Sequence, residues 1–286
     1  GGAQAGSGTG GATAGSGGKS SGSGGATMSS GCGKAPPASN RYSMDVGGLM
    51  REYILYVPAD YDPNKPYPLI FAWHPLGGSA QSTAGNGNGG YYGMRGASAG
   101  KAILVSPEGL NQQGETSGSK GWWNSQGRDI NFAKAMIDRF KAEMCIDDKR
   151  IFSTGFSFGG MMSFAVGCSG LARAIAPMAG SGISGCANGT TQVAVMGFHG
   201  VNDSVVGISG GRMMRDEFVE RNQCMAQTMP ATPSWCDGIN QNQQPCTCVS
   251  YQGCSAGYPV TWCEFNADHT PAPNSATTIW NFFSQF

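Results

Sequence analysis

A mostly parallel α/β sheet, covered by helices on both faces and braced by disulfides, is the fold class this sequence predicts. Three observations carry the prediction. Short continuous apolar runs such as YPLIFAWH (67–74) alternate with segments of helical apolar spacing, as in strands buried on both faces and joined through crossover helices. The non-repetitive part of the chain, about 250 residues, is long enough to bury one sizeable core. Ten cysteines, an even number scattered along 286 residues, point to disulfides and an oxidising compartment.

Residues 1–31 are almost wholly Gly, Ser, Ala and Thr, as in GSGTGGATAGSGG. Such a segment buries nothing that offsets its ordering entropy, so it reads as a flexible linker. Its expected former partner is a membrane anchor, a carbohydrate-binding module or a signal segment. Gly1 in place of Met is read as a processed or trimmed N-terminus.

The domain is expected over 32–286. REYILYV (51–57) alternates and is β-rich, so it predicts a strand. YPLIFAWH (67–74) and KAILVS (101–106) predict buried strands. Ile130, Phe132, Ala133, Met136, Ile137, Phe140 and Met144 recur at helical spacing and predict a helix over 129–144. RIFSTG (150–155) is read as a strand, and GGMMSFAVGC opens a helix. RAIAPMAG (173–180) and QVAVMGFHG (192–200) predict two more buried strands. A helix over 211–222, a strand at VTWCEF (260–265) and a closing helix over 277–286 complete the pattern. Between about 224 and 258 lie five cysteines, three prolines and the run NQNQQP. This stretch is read as a disulfide-braced loop insertion.

Composition excludes several functions. Eighteen basic and eighteen acidic side chains cancel, so nothing suggests a nucleic-acid or anionic-membrane partner. No apolar run approaches the ~18–20 residues of a membrane span. The cysteines lack the paired CxxC or Cys/His spacings of a zinc site, and Cys246-Thr247-Cys248 is a poor chelate alone. No metal or organic cofactor is expected.

The chemistry is expected at Gly155-Phe156-Ser157-Phe158-Gly159. Gly-x-Ser-x-Gly is a weak pattern by itself in a chain with 47 glycines. Here it follows a β-rich run and precedes a helix, the setting in which a serine is presented on a sharp strand-to-helix turn. The alternative is a helix N-cap serine. A base must follow, and only His199 and His269 lie after Ser157. In the order serine, acid, histidine, no strand-end acid separates Ser157 from His199, which is therefore read as structural. Asp203 pairs with His269, each just beyond a strand's C-terminal end, where open α/β sheets place ligands. Glu264 and Asp268 are rival acids, while Asp216, Glu217 and Glu220 look like a solvated helix face. The oxyanion donors are expected to be the backbone N–H of Phe158 and, in the loop His74-Pro75-Leu76-Gly77-Gly78, that of Leu76, since Pro75 has none.

Taken together, the segments CGKAPP, REYILYVPADYDPNKPYPLIFAWHPLGG, GWWNSQGRDINF, CIDDKRIFSTGFSFGGMMSFAVGC, GFHGVNDSVV, GRMMRDEF, YQGCSAGYPVTW and FFSQF resemble secreted feruloyl-esterase and polyhydroxybutyrate-depolymerase-like hydrolases of the first carbohydrate esterase family. The resemblance spans 32–286. It implies an α/β-hydrolase fold, a Ser157–Asp203–His269 triad and a position for Trp122 near the substrate cleft. Cys32, Cys145, Cys168, Cys186, Cys224 and Cys254 match family cysteines, whereas Cys236, Cys246, Cys248 and Cys263 look extra. The resulting expectation is a secreted serine esterase, without cofactor and monomeric by default. Its substrate is a polysaccharide-linked or polymeric ester, first a hydroxycinnamoyl ester of plant cell-wall arabinoxylan, with Trp122, Trp123, Tyr91 and Tyr92 as candidate aromatic contacts. Acetyl-xylan or polyhydroxybutyrate comes second. A reading of another class is a non-catalytic surface-binding domain on a tether.

Overall fold

A computed structural model of the chain describes residues 1–3, 27–112, 117–186, 189–239 and 245–286. The predicted strands form the middle of one ten-stranded sheet. In chain order the strands are β1 (Asn40–Val46), β2 (Leu49–Tyr56), β3 (Tyr67–Trp73), β4 (Ile103–Pro107), β5 (Ile146–Phe156), β6 (Ala174–Met178), β7 (Ala194–Gly200), β8 (Thr228–Pro230), β9 (Cys246–Tyr251) and β10 (Val260–Phe265). Their spatial order is β1-β2-β4-β3-β5-β6-β7-β10-β9-β8. The six strands from β4 to β10 run parallel. An antiparallel pair flanks each side. This is the α/β-hydrolase arrangement that the sequence led us to expect.

The parallel strands are apolar throughout because both faces are covered. Every residue of β3, β4, β6 and β7 is buried. One face carries α3 (Arg128–Glu143), α4 (Phe158–Cys168) and α5 (Ile208–Arg221), which contribute Phe132, Phe140, Met162, Phe164 and Phe218 to a continuous core. The other carries the short α1 (Ala80–Ala84) and α2 (Met94–Ser98) with the closing α6 (Ala276–Phe283), through Ala84, Met94, Ile279, Phe282 and Phe283. The ten buried residues of α4, Phe158 to Gly167, leave it no polar side. It is the helix that runs inward from Ser157.

Two expectations need correction, and one strand was not expected. Composition assigns residues 27–31 to the linker, yet they are docked: Met28 bridges to Asp147, and the Ser29 hydroxyl donates to the Met144 carbonyl at 2.7 Å. The remainder of the expected linker, residues 4–26, lies outside the described residues. The 224–258 stretch is not only loop. It supplies β8, a short 3-10 turn at Trp235–Gly238 and β9, and so extends the sheet beyond β10. Its polar run 240–244 lies outside the described residues. Finally, β1 sits as an edge strand beside β2, where its half-exposed pattern gave little sequence signal.

All ten cysteines pair. The six that match the family join as Cys32–Cys145, Cys168–Cys186 and Cys224–Cys254. The four extra ones join as Cys236–Cys246 and Cys248–Cys263. The last bridge ties β9 to β10, the strand that leads to His269.

Candidate active site

Ser157 stands at the turn between β5 and α4 with φ 57° and ψ −121°. A β-carbon makes that left-handed region costly, on the order of 1–3 kcal/mol, so the surroundings must hold it. The Ser157 N–H donates to the Met178 carbonyl at 2.9 Å, which pins the turn to β6. The turn also needs a bare backbone after it. A β-carbon at Gly159 would collide with the Trp73 carbonyl, and one at Gly155 with the Gly159 carbonyl. The two glycines of the motif are thus explained by close packing of strand, turn and helix.

Asp203 lies in the loop after β7, and His269 in the loop after β10. The sheet brings the three together, His269 meeting Ser157 across 112 residues of sequence and Asp203 across 66. His269 Nε2 is 2.8 Å from Ser157 Oγ, and His269 Nδ1 is 2.8 Å from Asp203 Oδ2. The other oxygen, Oδ1, accepts the backbone N–H groups of Val205 at 3.0 Å and Val206 at 2.7 Å. With the carboxylate fixed as an acceptor, His269 carries its proton on Nδ1. Nε2 is left as a lone-pair acceptor toward the serine hydroxyl.

The rival acids are committed elsewhere. Glu264 takes both a bidentate pair from Arg212 (2.8 and 2.6 Å) and the Trp262 indole N–H at 2.8 Å. Asp268 is bound to other donors than the imidazole ring. Its Oδ1 accepts the Ser204 N–H at 2.8 Å, the Ser204 hydroxyl at 2.9 Å and the His269 N–H at 2.7 Å. Those bonds, the Ser204 amide first, hold the Asp268 carboxyl below the usual carboxylate range. Asp268 therefore laces the acid loop to the histidine loop.

The loop after β3 is built around a buried histidine. His74 Nε2 accepts the Gly109 N–H at 2.9 Å, so the other nitrogen carries the proton and donates to the Pro75 carbonyl at 2.7 Å. Burial pushes the His74 pKa down, which keeps the ring neutral. The Pro75 carbonyl also accepts from Gly78 N–H at 2.9 Å. The Pro75–Leu76 peptide is trans, so its N–H points opposite to that anchored carbonyl. Among the described residues, neither the Leu76 nor the Phe158 amide has a hydrogen-bond acceptor. Both expected oxyanion donors are free.

The four aromatic candidates separate. Trp122 is fully buried, donates to the His74 carbonyl at 2.8 Å and packs edge-on to Trp73, so its ring supports the loop from beneath and is out of a ligand's reach. Tyr91 is likewise buried, against Tyr56, and burial raises its pKa. Tyr92 spends its hydroxyl on the Trp73 carbonyl at 2.8 Å. Trp123 is half-buried, 4.8 Å edge-on to Phe158, and its indole N–H has no partner. Trp123, against Phe158, and Tyr92, whose hydroxyl meets the Trp73 carbonyl next to Gly159, both lie beside the nucleophile turn. Burial is decided by neighbours brought from other strands, which the pattern GWWN could not reveal.

Sequence reasoning also left His199 as structural. The fold buries it and puts its Nε2 3.3 Å from Asp203 Oδ2. The signal was there in the spacing, since both residues flank the end of β7.

No protein-family model matches the chain. Individual relatives do. A feruloyl esterase D of Neurospora crassa is 37% identical over 274 residues, 89% of this chain and 89% of that protein. The chain belongs to the feruloyl esterase family. A probable feruloyl esterase C of Aspergillus terreus, another family member, is 37% identical over 262 residues, covering 88% and 90% of the two chains. Among solved structures, a ferulic acid esterase of Anaeromyces mucronatus, in complex with ferulic acid, aligns with a TM-score of 0.56 over 88% of this chain and 91% of that one, at 19% identity. An acetyl xylan esterase of Aspergillus awamori aligns at 0.57 over 85% and 99%, at 14% identity. These two likenesses are of fold.

Proposed function

We propose that this feruloyl esterase family member is a secreted serine carboxylic-ester hydrolase that frees hydroxycinnamic acids from plant cell-wall arabinoxylan through an acyl-enzyme. The observation that carries the reading is the unbroken relay of 2.8 Å contacts from Ser157 Oγ through His269 to Asp203. His269 Nε2 takes the Ser157 proton as Oγ attacks the ester carbonyl. Asp203 holds the imidazole in that tautomer and stabilises its cationic form. The free amides of Phe158 and Leu76 receive the oxyanion, each worth roughly 2.7–4 kcal/mol in the transition state. His269 then returns the proton to the departing alcohol, and a water activated by the same nitrogen releases the acid.

An aromatic acyl group suits the surroundings. Exposed apolar side chains follow three of the parallel strands: Leu76 after β3, Ile183 after β6 and Val205 after β7. Trp123 adds a half-buried indole packed edge-on to Phe158. Five disulfides favour an oxidising, extracellular setting. Among the described residues no helix is long and apolar enough to cross a membrane.

The test is hydrolysis of methyl ferulate, acetylated xylan and polyhydroxybutyrate in parallel, with Ser157→Ala as the blank. We expect methyl ferulate to be preferred and the blank to be inert. Turnover of acetyl groups or polyester alone would keep the triad and remove the feruloyl substrate. Wild-type turnover by the alanine variant would remove the site.

A further inference from the structure

His199 carries a cost that packing alone does not justify. The ring is fully buried at the end of β7. Its Nδ1 has no hydrogen-bond partner, and Gly211 of α5 stands directly against it, where a β-carbon would collide with that nitrogen. A phenylalanine or leucine would fill similar space without an orphaned polar atom. The opposite nitrogen explains the residue. Nε2 is 2.8 Å from the Val206 carbonyl and 3.3 Å from Asp203 Oδ2. Neither of these oxygens can donate, so Nε2 bears the proton, and Nδ1 is the bare nitrogen facing Gly211. Burial disfavours a second proton.

We infer that His199 is a positioning residue for catalysis: its Nε2–H, donated to the Val206 carbonyl and lying 3.3 Å from Asp203 Oδ2, locks the acid loop and tempers the charge that Asp203 presents to His269. This rests on the reading of Ser157, Asp203 and His269 as the triad. The cage is closed on all sides. Val206 gives its N–H to Asp203 Oδ1 and takes the His199 N–H on its carbonyl. The carboxylate therefore has two amides on one oxygen and two imidazoles near the other. Other charged groups around His199 are Glu264 on β10, directly opposite it in the strand register, and Arg212 and Arg215 of α5, both of which pair with Glu264. Asp268 lies beyond, bound to Ser204 and the His269 amide. The Trp262 ring, 6.2 Å from the imidazole, separates His199 from the arginines' side.

The experiment compares His199→Phe with His199→Gln, whose amide can still donate. We expect the phenylalanine variant to lose about tenfold in kcat with KM unchanged, the order of one buried hydrogen bond left unmade. Its acid limb should move to higher pH, because a less neutralised Asp203 holds the His269 cation more firmly. The glutamine variant should recover both. Wild-type kcat and pH profile in the phenylalanine variant would overturn the proposal, as would a glutamine variant impaired equally, which would mean packing alone. A readout that needs no variant to fold is nitrogen-15 NMR of the three histidines in the wild-type chain. His199 should remain the neutral Nε2–H tautomer between about pH 5 and 9, where an ordinary histidine titrates. Titration in that range, or an Nδ1–H tautomer, would overturn it too. The tautomer is read without turnover, so it stands apart from the triad reading, which fails on its own if Ser157→Ala stays active.

Discussion

Asp203→Asn isolates the role of the acid because it changes one atom and almost no volume. In the structure the two carboxylate oxygens are not equivalent. Oδ1 accepts from two backbone amides, Val205 and Val206, which cannot turn away. An asparagine must keep its carbonyl there. Its NH2 then occupies the Oδ2 position, facing His269 Nδ1 at 2.8 Å and His199 Nε2 at 3.3 Å. His199 cannot adapt, since the Val206 carbonyl needs the same Nε2 proton. His269 can, by moving its proton to Nε2 and accepting on Nδ1. That tautomer donates toward Ser157 Oγ and has no lone pair left to act as base. The residual rate comes from the oxyanion donors and substrate binding, so kcat should fall by about 10⁴, equivalent to about 5.4 kcal/mol in the barrier. KM should hardly change, because Asp203 is buried behind the imidazole and does not touch substrate. The assay is initial-rate hydrolysis of methyl ferulate across pH, with a thermal melt to verify folding. A folded Asp203→Asn variant with kcat within about tenfold of wild type would refute the tautomer argument.

Three further outcomes follow from the same geometry. Leu76→Pro removes a backbone donor while Leu76→Ala keeps it; the proline variant should lose roughly 10²–10³ in kcat and the alanine variant little, and equal losses would mean the side chain, not the amide, matters. Asp129→Ala should cost about 3–5 kcal/mol in denaturant titration, because it strands Arg51, 1% exposed and paired with Asp129 at 2.8 Å; the double change Arg51→Met/Asp129→Leu should recover most of it. Burial lowers the pKa of both His74 and His199 from the ordinary 6.5, so the unfolded chain binds more protons than the folded one below that pH. Their stabilising contribution is present above pH 6.5 and is lost as pH falls through the lowered folded values. Melting temperature should therefore drop on the acid side of that value, and a melting curve flat or rising toward low pH would contradict it.

Much of this molecule was legible in its sequence. Buried parallel strands are apolar on both faces, so β3, β6 and β7 announced themselves without any partner in view. The nucleophile turn is a local event: its strained serine and the glycines that let β5 and α4 close are neighbours in sequence, and the motif encodes them together. The order Ser157, Asp203, His269 could be proposed from sequence because Asp203 and His269 each follow a buried strand. What sequence could not decide depends on which chains of atoms meet. Trp122 and Trp123 are adjacent and alike, yet one is sealed under the His74 loop and the other edges onto Phe158, because successive residues in an extended segment point opposite ways and only the packed neighbours settle which side is inside. The cysteine-rich stretch reads as loop because β8 is a three-residue exposed edge strand and β9, paired between it and β10, is mostly half-buried, so neither shows a buried apolar run. His199 is the sharpest case. Its sequence setting, the last turn of a buried strand, says only that it is inside. Its approach to Asp203 and Val206 is local, all three belonging to β7 and the loop after it; that His269 from the loop after β10 and Gly211 of α5 close around the same group is decided only once the tertiary structure has formed.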